Sequence, residues 1–112
     1  MTNCLFCKMV AGDIKPDVVY EDDTMMAFRD INPQAPVHIL IIPKRHIATL
    51  NEIDDTILAG QLLQTAVKLA EREGISEEGY RTLINCNRNG GQAVYHLHLH
   101  LLGGRSLHWP PG

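Results

Sequence analysis

The chain has 112 residues, of which 45% are hydrophobic and 21% charged, and we expect it to form one compact domain over residues 1–112. The formal net charge of −3 excludes a broad basic face for nucleic acid, and the longest apolar run, residues 39–42, is far shorter than a membrane span. No signal segment follows Met1, so we expect a cytoplasmic protein without nucleic-acid or membrane partners.

The first predicted element is a short helix over residues 4–11, which begins with the C-x-x-C pair Cys4 and Cys7 and ends at Gly12. This spacing lets two thiolates reach one tetrahedral zinc, but a redox pair or two unrelated half-buried thiols would have the same pattern. With Cys86 the chain has three cysteines, an odd number that argues against a disulfide framework.

Strands are predicted next. Two short ones, at residues 18–20 and 25–28, are separated by a polar turn. Residues 38–42 are nearly continuously apolar and β-branched, which is typical of a strand covered on both faces.

The second half of the chain begins with apolar residues at helical spacing, which predict one long helix over residues 53–73 that stops at Gly74. Strands are predicted at residues 80–87 and 95–102, with a turn at residues 89–91 between them. Strands in consecutive runs with helices set apart indicate an α+β fold. We predict an antiparallel five-stranded meander sheet with one long helix and a short N-terminal helix.

Histidine and leucine alternate in the last predicted strand, at residues 96–102. Because side chains in a strand have a period of two, His96, His98 and His100 are expected on one face and the leucines on the other, against the long helix. A half-exposed strand without chemistry would satisfy its alternation as well with Thr, Lys or Glu. Two chemical interpretations remain: imidazoles that bind a catalytic metal, or one imidazole that acts as nucleophile or general base.

The segment His96-Leu97-His98-Leu99-His100-Leu101-Leu102 resembles the His-φ-His-φ-His-φ-φ signature of the histidine triad (HIT) superfamily of nucleotide hydrolases and transferases. Further segments are similar to its Hint branch, namely residues 28–36 followed by His38, Gly90-Gly91-Gln92, Gly103-Gly104-Arg105 and the ending Trp109-Pro110-Pro111-Gly112. The ending is the most branch-specific part, because the triad is shared across the superfamily.

This resemblance implies a HIT-like fold and a hydrolase that cleaves the P–N bond of purine nucleoside 5′-phosphoramidates through a nucleotidyl-histidine intermediate. It implies that His98 is the nucleophile, while His100 and His38 place donors on the phosphate oxygens as charge builds there. Purine nucleoside monophosphates and their phosphoramidates are the implied ligands, and no organic cofactor is implied.

The resemblance also implies nucleotide contacts. Asp30 matches a carboxylate that accepts from the ribose hydroxyls, although a turn residue would look the same, and Asn85 matches a phosphate or leaving-group contact. Gly91 and Gln92 match the glycine-rich part of the binding site. Trp109 is implied to complete the pocket of the partner subunit in a homodimer. The apolar walls around the base match Leu5, Phe6, Met9, Phe28 and Ile31.

Some members of the superfamily hold a structural zinc, and the resemblance implies the same four ligands here: Cys4, Cys7, His46 and His96. Four protein ligands close the tetrahedron, so such a zinc is structural and leaves His98 alone to attack. It would tie the N-terminal turn to the catalytic strand. Free thiols and a surface His46 are the alternative.

Position 93 departs from the pattern, because Ala93 stands where many Hint proteins have a serine that helps bind the phosphate or leaving group. The loss of one hydroxyl should weaken or re-tune activity without abolishing it, since a neutral hydrogen bond contributes about 0.5–1.5 kcal/mol.

Three alternatives to the phosphoramidase stay open. One is a dinucleoside polyphosphate hydrolase, which the C-terminal ending argues against. The others are a nucleotide-responsive regulatory module with incidental hydrolysis and a metal hydrolase that uses the triad as ligands.

Overall fold

The computed structural model describes residues 3–112. Among the helices of this range, none combines the length and apolar character needed to cross a bilayer. In chain order the elements are α1 (Leu5–Ala11), β1 (Val18–Glu21), β2 (Met25–Arg29), β3 (Val37–Pro43), a 3₁₀ turn (Leu50–Glu52), α2 (Thr56–Arg72), β4 (Tyr80–Leu83), α3 (Asn87–Gly90) and β5 (Leu99–Gly103).

All five strands form one antiparallel sheet, which confirms the predicted α+β fold with one long helix and a short N-terminal helix. The strand order β1-β2-β3-β5-β4 departs from a simple meander, because α2 carries the chain from β3 to the far edge and β5 then returns between β3 and β4. The strand that carries His100 is therefore an interior strand, with partners on both sides.

The sheet is covered on both faces, as the apolar run in β3 predicted. Ile39 and Ile41 join a buried cluster with α2, whereas Leu40 and Ile42 pack with Phe6 of α1 on the opposite face. The leucines that alternate with the triad histidines belong to the α2 cluster, as expected: Leu97, Leu99 and Leu101. The histidines are thus left to the face that α1 covers.

Helix α2 is shorter at its N-terminus than predicted, and its cap explains where it begins. The Asp55 carboxylate accepts hydrogen bonds from the main-chain N–H groups of Ile57 and Leu58 at 3.0 and 3.1 Å. These N–H groups have no partner inside a helix, so the side chain fixes the start at Thr56. At the other end Gly74, with φ of +74°, terminates the helix as predicted.

The two predicted C-terminal strands are longer than β4 and β5. Residues 95–98 leave the sheet ladder because their main-chain groups bond elsewhere: the Leu97 N–H donates to the Ile47 carbonyl at 2.6 Å, and the His96 carbonyl accepts from the His98 ring at 2.8 Å. The predicted turn at residues 89–91 is the short helix α3, which ends at Gly91 with φ of +78°.

Candidate active site

Three of the predicted site histidines meet on the sheet face that α1 covers. His38 lies opposite Leu102 and His100 lies opposite Leu40 in the β3–β5 register, so the two imidazoles are diagonal neighbours on one face. The ring centroid of His100 is 5.2 Å from that of His38 and 5.0 Å from that of His98. Pairing of β3 with β5 therefore assembles the histidine cluster from residues 62 positions apart.

The protonation of His98 follows from the hydrogen bond that its ring makes at Nδ1. Its Nδ1 lies 2.8 Å from the His96 carbonyl oxygen, which only accepts, so Nδ1 carries the proton and Nε2 retains its lone pair. Burial lowers the pKa of His98, although the hydrogen bond to the His96 carbonyl and the charge of Asp30 oppose that shift. The ring is therefore neutral near pH 7 and presents one unprotonated nitrogen.

His38 and His100 form a chain of donors with a fixed direction. The Gln34 main-chain N–H donates to Nδ1 of His38 at 3.0 Å, so the neutral ring carries its proton on Nε2. That Nε2–H donates to Nδ1 of His100 at 2.9 Å, which places the His100 proton on its own Nε2.

The end of this chain is a buried donor. Nε2 of His100 is inaccessible to solvent and has no hydrogen-bond partner within residues 3–112. Burial, reinforced by His98 and His38, lowers the pKa of His100 to about 4, so this ring is also neutral near pH 7. A buried N–H without an acceptor costs free energy, and a bound anionic oxygen would relieve that cost.

Asp30 has two neighbours in the site. Its Oδ1 accepts the Asn32 main-chain N–H at 2.8 Å, the contact expected of a turn residue. Its Oδ2 lies 3.5 Å from Nε2 of His38. The carboxylate is only half-buried, so it borders the histidine cluster and also faces solvent.

A second cluster brings together the four predicted zinc ligands, Cys4, Cys7, His46 and His96, with one donor atom from each lying within 4.8 Å of all the others. We call these residues the metal cluster. Nδ1 of His96 lies 3.3 Å from the Cys4 sulfur and 3.6 Å from the Cys7 sulfur, and Nδ1 of His46 lies 3.3 Å from the Cys7 sulfur. Zn–S bonds near 2.3 Å and Zn–N bonds near 2.05 Å require S···N separations of about 3.6 Å in a tetrahedron.

The donors of the metal cluster also have suitable protonation. Nε2–H of His96 donates to the Pro43 carbonyl at 2.7 Å, which leaves its Nδ1 lone pair directed at the two sulfurs. The Cys4 sulfur accepts the Cys7 main-chain N–H at 3.3 Å, a contact that favours a thiolate. Both geometry and donor chemistry therefore fit a cation.

Ligand atoms of Asp30, His38 and His100 also lie within 4.8 Å of one another, but these residues fit a metal ion less well than the metal cluster does. Nε2 of His38, which would have to be the ligand atom, carries a proton because its Nδ1 already accepts from Gln34. A metal there would require loss of that proton or of the Gln34 contact. The tautomers therefore argue against the hypothesis of a metal hydrolase that uses these imidazoles as ligands.

The predicted apolar walls divide into buried and exposed side chains. Phe6 and Phe28 are 3% and 2% exposed, and their rings meet edge to face at 5.3 Å. Ile31 is 98% exposed and Leu5 is 41% exposed, whereas Met9 is half-buried against the cluster around Phe6. Any contact with a bound base must come mainly from the exposed members of the set.

Gln92 is held inside the protein. Both N–H groups of its side-chain amide are used, by the Ala48 carbonyl at 2.8 Å and the Val94 carbonyl at 3.1 Å, and its Oε1 accepts the Asn87 N–H at 2.9 Å. The side chain thus shapes the loop after α3, while Gly91 lets that loop turn. Both amide N–H groups of Gln92 are therefore taken, and its contact with a nucleotide stays a prediction.

The remaining predicted residues lie around the same loop or in the C-terminal tail. Asn85 is half-buried between β4 and α3, and its main chain lies against Gly90. Ala93 is exposed and, with Leu5, lines an open groove of about 670 Å³ beside the metal cluster. Trp109 is 81% exposed, on a tail anchored where the Arg81 guanidinium donates to the His108 carbonyl at 2.9 Å.

Three main-chain groups were missed by sequence reasoning: the Gln34 N–H and the carbonyls of Pro43 and Ile47. Every residue except proline carries the same main-chain donor and acceptor, so no residue type announces these contacts. The turn-forming segment 30–36, rich in Asp, Asn and Pro, is the single signal that a fixed loop supplies the Gln34 N–H.

Comparison with known proteins agrees with this architecture. The family model described as HIT domain matches residues 11–107. A HIT-like protein of Synechococcus elongatus is 57% identical over 110 residues, covering 96% of each chain. Purine nucleoside phosphoramidase of Escherichia coli K12 is 52% identical over 105 residues, covering 92% of this chain and 88% of that protein.

Solved structures show the same fold. The crystal structure of a HIT family hydrolase from Legionella pneumophila superposes with a TM-score of 0.96 at 59% identity, covering 98% of this chain and 100% of that one. The chain belongs to the HIT family, which confirms the resemblance drawn from its histidine motif.

Proposed function

We propose that this chain is a hydrolase of purine nucleoside 5′-phosphoramidates, acting on adenosine or guanosine monophosphates that carry an amine on the α-phosphate. Its 52% identity to the Escherichia coli purine nucleoside phosphoramidase supports this reaction class. The observation that carries the proposal is the tautomer of His98, whose Nδ1–H is bound to the His96 carbonyl and whose Nε2 lone pair is free. A buried neutral imidazole of this kind is a competent nucleophile toward phosphorus.

In the first half-reaction, Nε2 of His98 forms a bond to the α-phosphorus as the P–N bond to the amine breaks. The leaving amine needs a proton, which comes from solvent, because the neutral His100 ring would become an imidazolate if it gave up Nε2–H. Nε2–H of His100, the unpartnered donor of the site, stabilises the charge that builds on the phosphate oxygens, and the 2.9 Å hydrogen bond from His38 holds the His100 ring in the required tautomer.

In the second half-reaction, water adds to phosphorus and the bond from phosphorus to Nε2 of His98 breaks. The nucleoside monophosphate leaves, one water proton returns to solvent, and His98 returns to its starting tautomer. Its Nδ1–H keeps the contact with the His96 carbonyl throughout, so no ring rotation is needed between the two steps.

Nucleotide contacts in this proposal follow the matched positions of the family. Asp30 accepts from the ribose hydroxyls with its partly exposed carboxylate, Asn85 and the loop at Gly91 contact the phosphate, and Gln92 braces that loop. The base lies against Leu5, Met9 and Ile31, with Phe6 and Phe28 supporting them from below.

Two further features complete the proposal. The metal cluster would hold zinc, which supplies a cross-link between α1 and the triad segment and, with four protein donors, has no position left for substrate. The exposed Trp109 reaches the active site of a second copy, so the working unit is a homodimer in the cytoplasm.

Replacement of the nucleophile tests the proposal. His98→Ala should lower the turnover of an adenosine phosphoramidate by at least about 10³-fold, because no other group can form the covalent intermediate. Affinity for AMP, measured by calorimetry, should stay within a few-fold of wild type. In a single turnover, the wild-type protein should carry a nucleotidyl group on His98 that forms at least as fast as steady-state turnover.

His108→Ala is the matched control, because this histidine lies in the exposed tail and should keep full activity. Retained turnover in His98→Ala would refute the assignment. Labelling of His98 much slower than turnover would favour a regulatory module with incidental hydrolysis. Faster cleavage of a dinucleoside polyphosphate than of the phosphoramidate would favour the other hydrolase class.

A further inference from the structure

We propose that the metal cluster consists of positioning residues for His98: when it holds a metal, it locks the peptide unit between His96 and Leu97, whose carbonyl sets the tautomer of the nucleophile. This inference rests on the proposed function for the role of His98 and goes beyond a purely structural role for the metal.

One residue belongs to both sites. The side chain of His96 is fully buried and directs Nδ1 at the two sulfurs of the metal cluster, while its Nε2–H is held by the Pro43 carbonyl. The main-chain carbonyl of the same residue accepts Nδ1–H of His98 at 2.8 Å. A change in the side-chain position of His96 therefore displaces the acceptor that determines which nitrogen of His98 is free.

The other side of the same peptide unit is also tied to the metal cluster. The carbonyl of His96 and the N–H of Leu97 lie in one rigid plane. That N–H donates to the Ile47 carbonyl at 2.6 Å, and Ile47 directly follows the ligand His46. Both polar groups of the plane are thus anchored beside ligands, so the plane cannot turn without moving one of them.

A third link runs through α1. Phe6 lies between Cys4 and Cys7 in sequence, and its ring meets those of His98 at 5.2 Å and His96 at 5.8 Å, both edge to face. The position of α1 therefore determines how firmly the nucleophilic ring is seated.

Without a metal the links through the sulfurs are weak. The Cys7 sulfur then meets Nδ1 of His46 only through a 3.3 Å contact, and sulfur is a poor hydrogen-bonding partner. A helix of seven residues is too short to persist by itself. Loss of the metal should let α1 and the plane after His96 relax, and should raise the population of His98 with its proton on Nε2.

The test compares metal-loaded and chelator-treated wild-type protein, with zinc added back as the third state. Two-bond ¹H–¹⁵N correlations of the imidazoles report which nitrogen of His98 is protonated. The rate of nucleotidylation of His98 is measured in single turnovers at saturating phosphoramidate. We expect the loaded protein to carry the proton on Nδ1 only, and the stripped protein to mix both tautomers and react at least about 10-fold more slowly. Added zinc should restore both.

Two variants separate positioning from stability. Leu62→Ala opens a cavity on the α2 face of the sheet, so it should lower the melting temperature without changing the tautomer or the rate of the loaded protein. If the stripped protein does not fold, His46→Asn takes its place in the test. This variant keeps the other three metal ligands and loosens the segment before Ile47. It should shift the tautomer and slow nucleotidylation in the same direction.

A folded, metal-free protein with His98 still protonated on Nδ1 alone and a rate within two-fold of the loaded form would overturn the inference. The proposed function fails in a different way, when loaded protein gives no nucleotidyl-His98 at all. In that case the imidazole correlations still report whether the metal cluster controls the tautomer.

Discussion

Each imidazole in the site owes its chemical role to one main-chain neighbour. The His96 carbonyl fixes His98 as an acceptor at Nε2, and the Gln34 N–H fixes His38 and, through it, His100 as donors at Nε2. Identical side chains thus present an acceptor nitrogen at one position and donor nitrogens at the others, because a neutral imidazole has one donor and one acceptor nitrogen and its partner decides which is which.

The lowered pKa of His100 predicts an acid-sensitive fold. The unfolded chain binds a proton at this residue as pH falls through 6.5, whereas the folded protein does so only near 4. The stability contributed above pH 6.5 is therefore lost as pH falls toward 4. Between pH 7.5 and about 5, His100 should account for a loss on the order of 2 kcal/mol in the free energy of unfolding.

Urea unfolding of wild type and His100→Gln at pH 7.5 and pH 5 measures this contribution. The variant should lose less stability than wild type over the same interval, and His108→Ala, which removes an exposed imidazole, should behave as wild type. Equal losses in wild type and His100→Gln would show that burial of His100 is not the cause.

At the scale of elements, the end of β5 fits tightly under the segment that follows α2. A Cβ placed on Gly103 would lie 2.6 Å from Cδ1 of Ile75, and Ile75 is itself buried. Because Gly103 has no side chain, the end of β5 can lie between β3 and β4 while Ile75, just after α2, packs against it. The glycine is thus required by close packing, since its φ is not in the left-handed region.

Gly103→Ala should destabilise the protein by about 1–3 kcal/mol, because overpacking forces neighbouring atoms to shift. Ile75→Val removes the clashing Cδ1, so the double variant should be less destabilised than the sum of the two single variants. Gly60→Ala is the matched control: this helical glycine of α2 has open space around it, and the change should stabilise by about 0.5–1 kcal/mol. Additive effects at residues 75 and 103 in urea unfolding would contradict the packing explanation.

At the scale of the whole molecule, the metal cluster joins parts of the chain that no sheet ladder connects. It links the start of α1, the segment after β3 and the segment before β5, which are up to 92 residues apart. In a chain this small, a metal held by these four residues would stabilise the fold by restricting the same three segments at once.

Protein purified without added metal should therefore contain about one equivalent of zinc per chain, measured by elemental analysis. Cys7→Ser and chelation should both lower the zinc content and the melting temperature, because each removes the cross-link. Cys86→Ser is the matched control, since Cys86 lies outside the metal cluster and should retain the metal. Zinc at a small fraction of an equivalent in wild type would sink the assignment.

Much of the fold was predictable from local pattern. The alternation of His and Leu after residue 95 placed the leucines against α2, and the apolar run in β3 predicted a strand covered on both faces, because side-chain direction follows directly from the strand period. The order of the last two strands in the sheet, with β5 between β3 and β4, was not predictable. It depends on the pairing of β3 with β5 across more than 50 residues, which local periodicity does not encode.

The sequence by itself determined the family, the fold class and the set of residues with side chains capable of the chemistry, since these depend on residue type and spacing. Only the tertiary structure decided what each nitrogen does. It directed His96 into the metal cluster and its carbonyl to His98, left the Nε2–H of His100 without an acceptor, and committed the amide of Gln92 to the loop. Those outcomes depend on main-chain groups from distant segments, and main-chain groups are the part of a protein that its residue types specify least.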